Sequence, residues 1–530
     1  AAQAQDAWFT ATDGVQHKTT VTGAEPLAAR PTIVEFSPYG RGSGTFDAGP
    51  AYNHLLVQIR GTGDSHGRFD ALGPRTQADV AEVLGWACHQ PFSDGRLALN
   101  GFSASAITIY NSLHLKLPCV RAAILKSGTF ELYRDLLVPG GVNNLVPGAG
   151  VLALIGAPAL AQGGDRDPAT IVDAFAGLFG AGISDLQHPS LDGWWRVRGF
   201  RGDVNHLPVL MVNGFFDVES RGAFQGYRRL RRDGAHLVVV GAHEGAPQGT
   251  DGGHAEMVAW VDRYVRGIRN GVARHPRVQL WLADGDREKM LDGAFVRYDA
   301  RNWPVPRTRW RSLWLDAATS GTASSLNDGT LSRKRPAATA DQSYPAVSSW
   351  PFNTDPPNSG IVGGMGFNAV TSGFPPLGDM TVAEPLGLSY TTAPLGADLL
   401  SAGPATLDVT LASTAPETPI WAVLSDVSPD GVAHPLTAGR LLSSYPRVNR
   451  RRSLIRAGRI VQPLNRLGRK EPGGAARRYR VELWPGGNRF RAGHRNRLHL
   501  IGASGASLAG APAVNTVTTG VSRLLLPVLP

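Results

Sequence analysis

Six short aliphatic runs punctuate the first 240 positions: 31–36 (PTIVEF), 54–60 (HLLVQIR), 96–100 (RLALN), 120–125 (VRAAIL), 208–213 (PVLMVN) and 237–240 (LVVV). Most are followed closely by Gly, Asp, Ser or Pro. Stretches with helical patterning, at Thr76–His89, Ser105–Leu117, Ser220–Arg232 and His254–Asn270, fall between or after them. Apolar runs that do not alternate with polar residues are strands buried on both faces, and strands alternating with helices form a parallel sheet covered on both sides. The pattern predicts an α/β domain.

That alternation lapses between residues 128 and 205, where Gly- and Ala-rich sequence carries helix-like pieces (VLALIGAPAL at 151–160, IVDAFAGLFG at 171–180) and no clear strand. An insertion between two strands sits over the strand ends, so 128–205 is expected to be a mainly helical cap dividing the α/β domain into 1–127 and 206–305. From about 306 to 530 the clearest elements are alternating strands with no long helix between them: WRSLWLDA, ATLDVTLAS, IWAVLSDV, RYRVELWP and NRLHLIGA. This half reads as an antiparallel sandwich or jelly roll, with the interval 316–380 expected to be irregular and to wrap the surface. A length of 530 residues accommodates two to four such domains. The 64 Gly and 38 Pro, without a short repeat, exclude collagen and low-complexity disorder.

Two cysteines, Cys88 and Cys119, exclude a disulfide-dense scaffold and a four-cysteine zinc site and leave a single bridge open. The longest strongly apolar stretch, Ala149–Ala161, is too short to cross a bilayer, so no transmembrane segment is expected. The beginning Ala1-Ala2-Gln3 suits a processed product with its signal removed, and an exported location, secreted or in the cell envelope, is expected.

Chemistry enters at the third strand. RLALN runs into Gly101-Phe102-Ser103-Ala104-Ser105 and then a helix, the strand–turn–helix setting in which a sharp turn exposes a nucleophilic serine at the sheet edge. Glycine is usual on both sides of that serine; here the second position is Ser105. The strand PVLMVN is followed by Gly214-Phe215-Phe216-Asp217 and the strand LVVV by Gly241-Ala242-His243. Serine, acid and histidine thus follow successive strands in the order this hydrolytic arrangement requires. His243 is the candidate base for Ser103, and Asp217 the candidate orienter of its imidazole. Taken singly, a strand-end Asp is often a helix cap and a loop His often merely solvated. Glu219 and His254 are the rival acid and histidine, set further into the following loop or helix. Arg60-Gly61-Thr62-Gly63-Asp64-Ser65 lacks the Gly-Lys-Ser/Thr of a phosphate loop. No His/Asp cluster has metal-ligand spacing, so neither metal nor cofactor is expected.

Beyond the triad positions, the chain resembles the CocE/NonD hydrolases, the relatives of bacterial cocaine esterase, α-amino-acid ester hydrolases and Xaa-Pro dipeptidyl-peptidases. The resemblance rests on Ser37-Pro38-Tyr39-Gly40, VQIRGTGDSHGRFD (57–70), GWACHQPFSDGRLALNGFSAS (85–105), NGFFD (213–217), VVVGAH (238–243) and Asn302-Trp303-Pro304. Three later segments extend it, namely GLSYTTAPL (387–395), LSDVSPDGVAHPLTAGRL (424–441) and RFRAGHRNRLHL (489–500). It implies an α/β-hydrolase fold with an inserted helical cap and a C-terminal all-β jelly roll. It also implies an oxyanion hole made by the Ala104 amide and the Tyr39 hydroxyl. The family usually places an aromatic residue after the nucleophile and glycine one position later. Ala104 and Ser105 depart from that and open space beside the serine.

The expected activity is cleavage of carboxylic esters or activated amides through an acyl-enzyme, with a hydrophobic acyl or aryl group, because the cap is so apolar. An Xaa-Pro dipeptidyl-peptidase or acylase with the same triad is the alternative; in it Glu131 and Asp135 are candidates to bind a free α-amino group, unless Arg134 and Arg121 pair with them. A non-catalytic surface-binding protein is the reading from another class. The formal charge of +10 resides in one segment: 447–480 holds twelve Arg or Lys against Glu471 alone, leaving the rest near neutral. With few interleaved aromatics this segment does not suit nucleic acid. It reads either as a solvated or disordered loop or as a contact to an anionic cell-envelope surface.

Overall fold

A computed structural model describes residues 2–43, 46–143, 152, 154–158, 168–202, 206–243, 245–285, 287–347, 379–502 and 511–530. In the first half, ten strands form one continuous sheet. They are β1 (Ala2–Thr10), β2 (Gln16–Ala24), β3 (Arg30–Ser37), β4 (Asn53–Gln58), β5 (Ser93–Phe102), β6 (Val120–Lys126), β7 (Val209–Asn213), β8 (His236–Val239), β9 (Val278–Ala283) and β10 (Phe295–Ala300). Pairing runs β1-β2-β4-β3-β5-β6-β7-β8-β9-β10, parallel from β4 to β9 and antiparallel at both ends. Helices α1 (Pro74–Ala87), α2 (Ala104–Ser112), α4 (Ser220–Leu230) and α5 (His254–Tyr264) connect these strands. This is the α/β-hydrolase-like half. The six expected strands and four helices are all present. β1, β2, β9 and β10 were not anticipated, and every residue of β7 and β8 is buried, as their continuous apolar runs require.

Between β6 and β7 the described residues include helix α3 (Pro168–Gln187) and a short helix at Gly193–Arg196. Much of the stretch 145–160 lies outside the described residues. The chain leaves and re-enters the sheet at one place: Glu131 bridges Gly199, Phe200 N–H donates to the Phe130 carbonyl at 2.7 Å, and the two phenyl rings stack with centroids 5.2 Å apart.

The C-terminal half is β-rich: β11 (Arg309–Asp316), β12 (Asn327–Ser332), β13 (Asp341–Pro345), β14 (Leu388–Thr391), β15 (Leu399–Ser413), β16 (Pro419–Val427), β17 (Ala433–Leu442), β18 (Leu454–Arg456), β19 (Arg459–Gln462), β20 (Arg477–Phe490), β21 (Arg495–Ile501) and β22 (Val514–Val528). All pairs within it are antiparallel except β12–β14. Two expectations are corrected. Within 316–380 the described residues include strands β12 and β13, because Asn327–Ser332 and Asp341–Pro345 find partners far along the chain in β14 and β22, while 348–378 lies outside the described residues. The basic segment is no disordered loop: β18 and β19 form a hairpin turning at Ala457-Gly458, both at positive φ, the geometry a two-residue hairpin turn needs.

The halves are stitched together. Asn488 of β20 pairs in parallel with Ala283 of β9, and its side chain accepts from the Gly285 N–H at 3.0 Å. Asp284 accepts from both Arg489 and Arg491. Cys88 and Cys119, at the end of α1 and just before β6, form the single disulfide.

Candidate active site

Ser103 sits between β5 and α2 with φ 53° and ψ −125°, a backbone conformation that a non-glycine residue adopts only at a cost. Two contacts hold it there: its N–H donates to the Lys126 carbonyl at 3.0 Å, and its own carbonyl accepts from Ile107 N–H at 2.9 Å. The turn closes so tightly that a Cβ on Gly101 would lie 2.6 Å from the Ala106 nitrogen. Ser105, in the position usually held by glycine, fits because its buried hydroxyl points to the Glu35 carboxylate at 3.4 Å.

Tyr39 follows β3 in a turn pinned by Ser37, whose hydroxyl accepts from Tyr39 N–H at 3.1 Å. The Tyr39 hydroxyl lies 3.4 Å from Ser103 Oγ, and the Ala104 N–H donates to it at 3.3 Å. Two donors therefore converge beside the serine, at the N-terminus of α2 where the helix favours negative charge. Burial pushes the Tyr39 phenol up to about 12 against its bond to Ser103, and the carboxyls of Glu219 and Glu35 push the same way. The group remains a donor across the physiological range.

Asp217 and His243 sit on neighbouring loops after β7 and β8. These loops touch: a Cβ on Gly214 would meet the Gly241 carbonyl at 2.1 Å, and His243 N–H donates to the Phe216 carbonyl at 3.2 Å. His243 Nδ1 is 3.2 Å from Asp217 Oδ1, and its ring lies 5.0 Å from that of Phe102, the residue before Ser103. Asp217, 1% exposed, also accepts from Ser127 Oγ at 2.5 Å and from Glu219 N–H at 2.7 Å.

The five residues nominated from sequence are thus gathered at one end of the parallel sheet. The rivals fare differently. His254 is an exposed residue at the start of α5, its ring against Phe46. Glu219 belongs to the cluster but is buried, its Oε2 has no hydrogen-bond partner, and burial with the nearby charges of Asp217 and Asp135 drives its carboxyl well above the usual range. Asp217, Glu219 and His243 present ligand-type atoms within 4.8 Å of one another, a grouping the sequence spacing did not suggest. The Asp217 oxygens are already taken by three donors, and burial beside two other acids disfavours a charge on Glu219. Ser127, directly after β6, and Glu35 were not nominated. At Ser127 the sequence offers only a polar residue after a strand, which does not single it out.

Glu131 and Asp135 are both engaged. Arg134 faces Glu131 at 3.1 Å, as one sequence reading allowed, whereas Asp135 is fully buried on Arg221 rather than Arg121.

Residues 13–245 match the family model for the X-Pro dipeptidyl-peptidase of the S15 family. Residues 270–523 match the X-Pro dipeptidyl-peptidase C-terminal non-catalytic domain. The chain is 22% identical to the cocaine esterase of Rhodococcus sp. over 459 residues, 78% of this chain and 76% of the esterase. A CocE/NonD family hydrolase from Staphylococcus aureus has the same fold with a TM-score of 0.78 at 16% identity, covering 100% of this chain and 93% of its own. An aminopeptidase from a marine sediment Thaumarchaeota archaeon reaches 0.75 at 17% identity, covering 100% and 97%. The protein belongs to the CocE/NonD and X-Pro dipeptidyl-peptidase-like family, serine hydrolases acting on ester or peptide bonds.

Proposed function

We propose that Ser103, His243 and Asp217 form the catalytic triad of an esterase acting on carboxylic esters or activated amides. The observation that carries this reading is the placement of two oxyanion donors side by side at the strained serine: the Tyr39 hydroxyl lies 3.4 Å from Ser103 Oγ and accepts from the Ala104 N–H at 3.3 Å. His243 takes the Ser103 proton as the oxygen attacks the carbonyl carbon, and Asp217 fixes the imidazole through Nδ1 and stabilises its cation. The tetrahedral oxyanion lies between Tyr39 and Ala104 and takes over the Ala104 N–H that otherwise donates to the Tyr39 hydroxyl. His243 returns the proton to the leaving group, and water releases the acyl chain from Ser103 by the same steps.

A hydrophobic acyl or aryl group suits the insertion 128–205, read here as a cap over the strand ends. Its helix α3 carries exposed Val172, Phe175 and Phe179. The ester reading stands ahead of the dipeptidyl-peptidase reading because Glu131 and Asp135 are both committed to arginines. The family models and the aminopeptidase neighbour keep the peptidase as the second reading. The C-terminal half is read as the family's jelly roll. An exported location accords with the Cys88–Cys119 bridge, since disulfides persist in oxidising compartments.

Fluorophosphonate labelling tests the nucleophile: the wild type is expected to be modified at Ser103, and Ser103→Ala to lose both labelling and turnover. A panel of p-nitrophenyl esters set against Gly-Pro and Ala-Pro anilides tests the substrate. Turnover of the anilides alone would reverse the order of the two readings.

A further inference from the structure

Where α4, the start of the inserted segment, and strands β17 and β20 meet, a small pocket is lined by Arg134, Arg221, Arg440, Asn465, Glu482 and Trp484, among others. Its volume of about 20 Å³ holds one water-sized or halide-sized species. Arg134, Arg221 and Arg440 are matched in number by Glu131, Asp135 and Glu482, but these three acids pair with Arg134 and Arg221. Arg221 is satisfied: it donates to Asp135 and, through Nε, to both oxygens of Glu482 at 3.2 and 3.1 Å. Gln462 Nε2 adds a bond to Glu482 Oε1 at 2.7 Å. Arg134 faces Glu131, but its buried Nε has no well-aligned acceptor.

Arg440 stands out. It is 7% exposed, its guanidinium lies over the Trp421 ring at 4.7 Å, and its buried Nη2 has no acceptor among the described residues. A buried guanidinium without a counter-charge is costly. The lining decides between the species that fit. Guanidinium groups only donate, and the Glu482 oxygens are already taken by Arg221 and Gln462. Besides Glu482, Asn465 is the one lining side chain that can accept from a water. A monovalent anion only accepts, and it brings the charge that Arg440 lacks.

We propose that this pocket binds one small monovalent anion of halide size, held by Arg440 and Arg134 and backed by Arg221. The anion joins β17 of the C-terminal half to the inserted segment and to α4, the helix that begins three residues after Asp217. Its binding stabilises the assembled halves without touching Ser103.

The test compares thermal unfolding in sodium chloride or bromide with unfolding in sodium gluconate, an anion too large to enter, at matched ionic strength. Wild type is expected to show a saturable halide-specific rise in Tm of a few degrees. Arg440→Met is expected to lose that increment; the exposed arginines elsewhere are common to both proteins and cancel in the comparison. Identical curves in halide and gluconate for wild type, or an undiminished increment in Arg440→Met, would overturn the proposal. Should the variant fail to fold, wild-type crystals soaked in sodium bromide supply the second measurement. An anomalous peak within hydrogen-bonding reach of the Arg440 guanidinium supports the site, and an ordered water without anomalous signal there refutes it.

Discussion

A single hydroxyl separates Tyr39 from phenylalanine, and in the proposed mechanism that hydroxyl contributes chiefly in the transition state. Tyr39→Phe is expected to lower kcat by roughly 100- to 1,000-fold, the usual cost of one oxyanion donor, with KM little changed. A fall in KM-based affinity at constant kcat would instead make Tyr39 a substrate contact. Ser127→Ala removes one donor from the buried Asp217 carboxylate. Hydrogen bonds to charged groups are worth about 1.5–3 kcal/mol, so kcat is expected to drop roughly 10- to 100-fold while the fold persists. Ser103, Asp217 and His243 could be nominated from sequence because each directly follows an apolar strand, in a fixed order along the chain, whereas Tyr39 entered only through the family resemblance. Ser127 could not, since its reach to Asp217 depends on β6 lying between β5 and β7 in the sheet. The upward push on the Glu219 carboxyl was equally hidden, because it arises from burial beside two other carboxyls.

At the scale of elements, β8 begins with His236, 2% exposed against the Trp260 ring. Burial, with smaller contributions from Arg277 and His275, pushes its imidazole down to about 4 from 6.5. The folded state thus binds this proton less readily than the unfolded chain. The associated stability is complete above pH 6.5 and drains away as pH falls towards 4, by about 3 kcal/mol. His236→Phe is expected to lose about 2–3 kcal/mol less than wild type between pH 7 and pH 4.5, as read from urea unfolding. The Cys88–Cys119 bridge closes a 31-residue separation. Its removal by the double alanine variant is expected to cost about 3–4 kcal/mol on the chain-entropy scale. The strands that sequence missed differ in cause. β1 (AQAQDAWFT) is a mostly exposed edge strand whose ladder partner, β2, supplies the order its polar side chains cannot advertise. The β18–β19 hairpin was masked by its arginines.

Across the whole molecule, the C-terminal half supports the acid-bearing loop. The Phe215 ring, two residues before Asp217, rests on Gly487 of β20, where an added Cβ would stand 2.3 Å from it. Gly487→Val is therefore expected to cost about 1–3 kcal/mol of stability and to lower kcat through displacement of Asp217. Unchanged kinetics with lowered stability would sever that link. The +10 charge also resolves at this scale. Arg447, Lys470, Arg477, Arg478 and Arg480 face Glu471, Glu417 or Asp408, while Arg450, Arg451, Arg452, Arg456, Arg466 and Arg469 remain exposed on the surface. Docking of these to an anionic polymer remains our proposal, to be read as salt-sensitive binding that a charge-neutralised variant loses. Which halves touch, and through which residues, was illegible beforehand, because Asn488 and Ala283 are two hundred positions apart and neither belongs to a motif. The bridged neck at Glu131 and Gly199 has an evolutionary consequence. With both ends of the insertion fixed at one point, doubling the chain between them costs only about 0.6 kcal/mol of closure entropy. Lineages can lengthen, shorten or exchange that insertion while the sheet from which it departs is inherited intact.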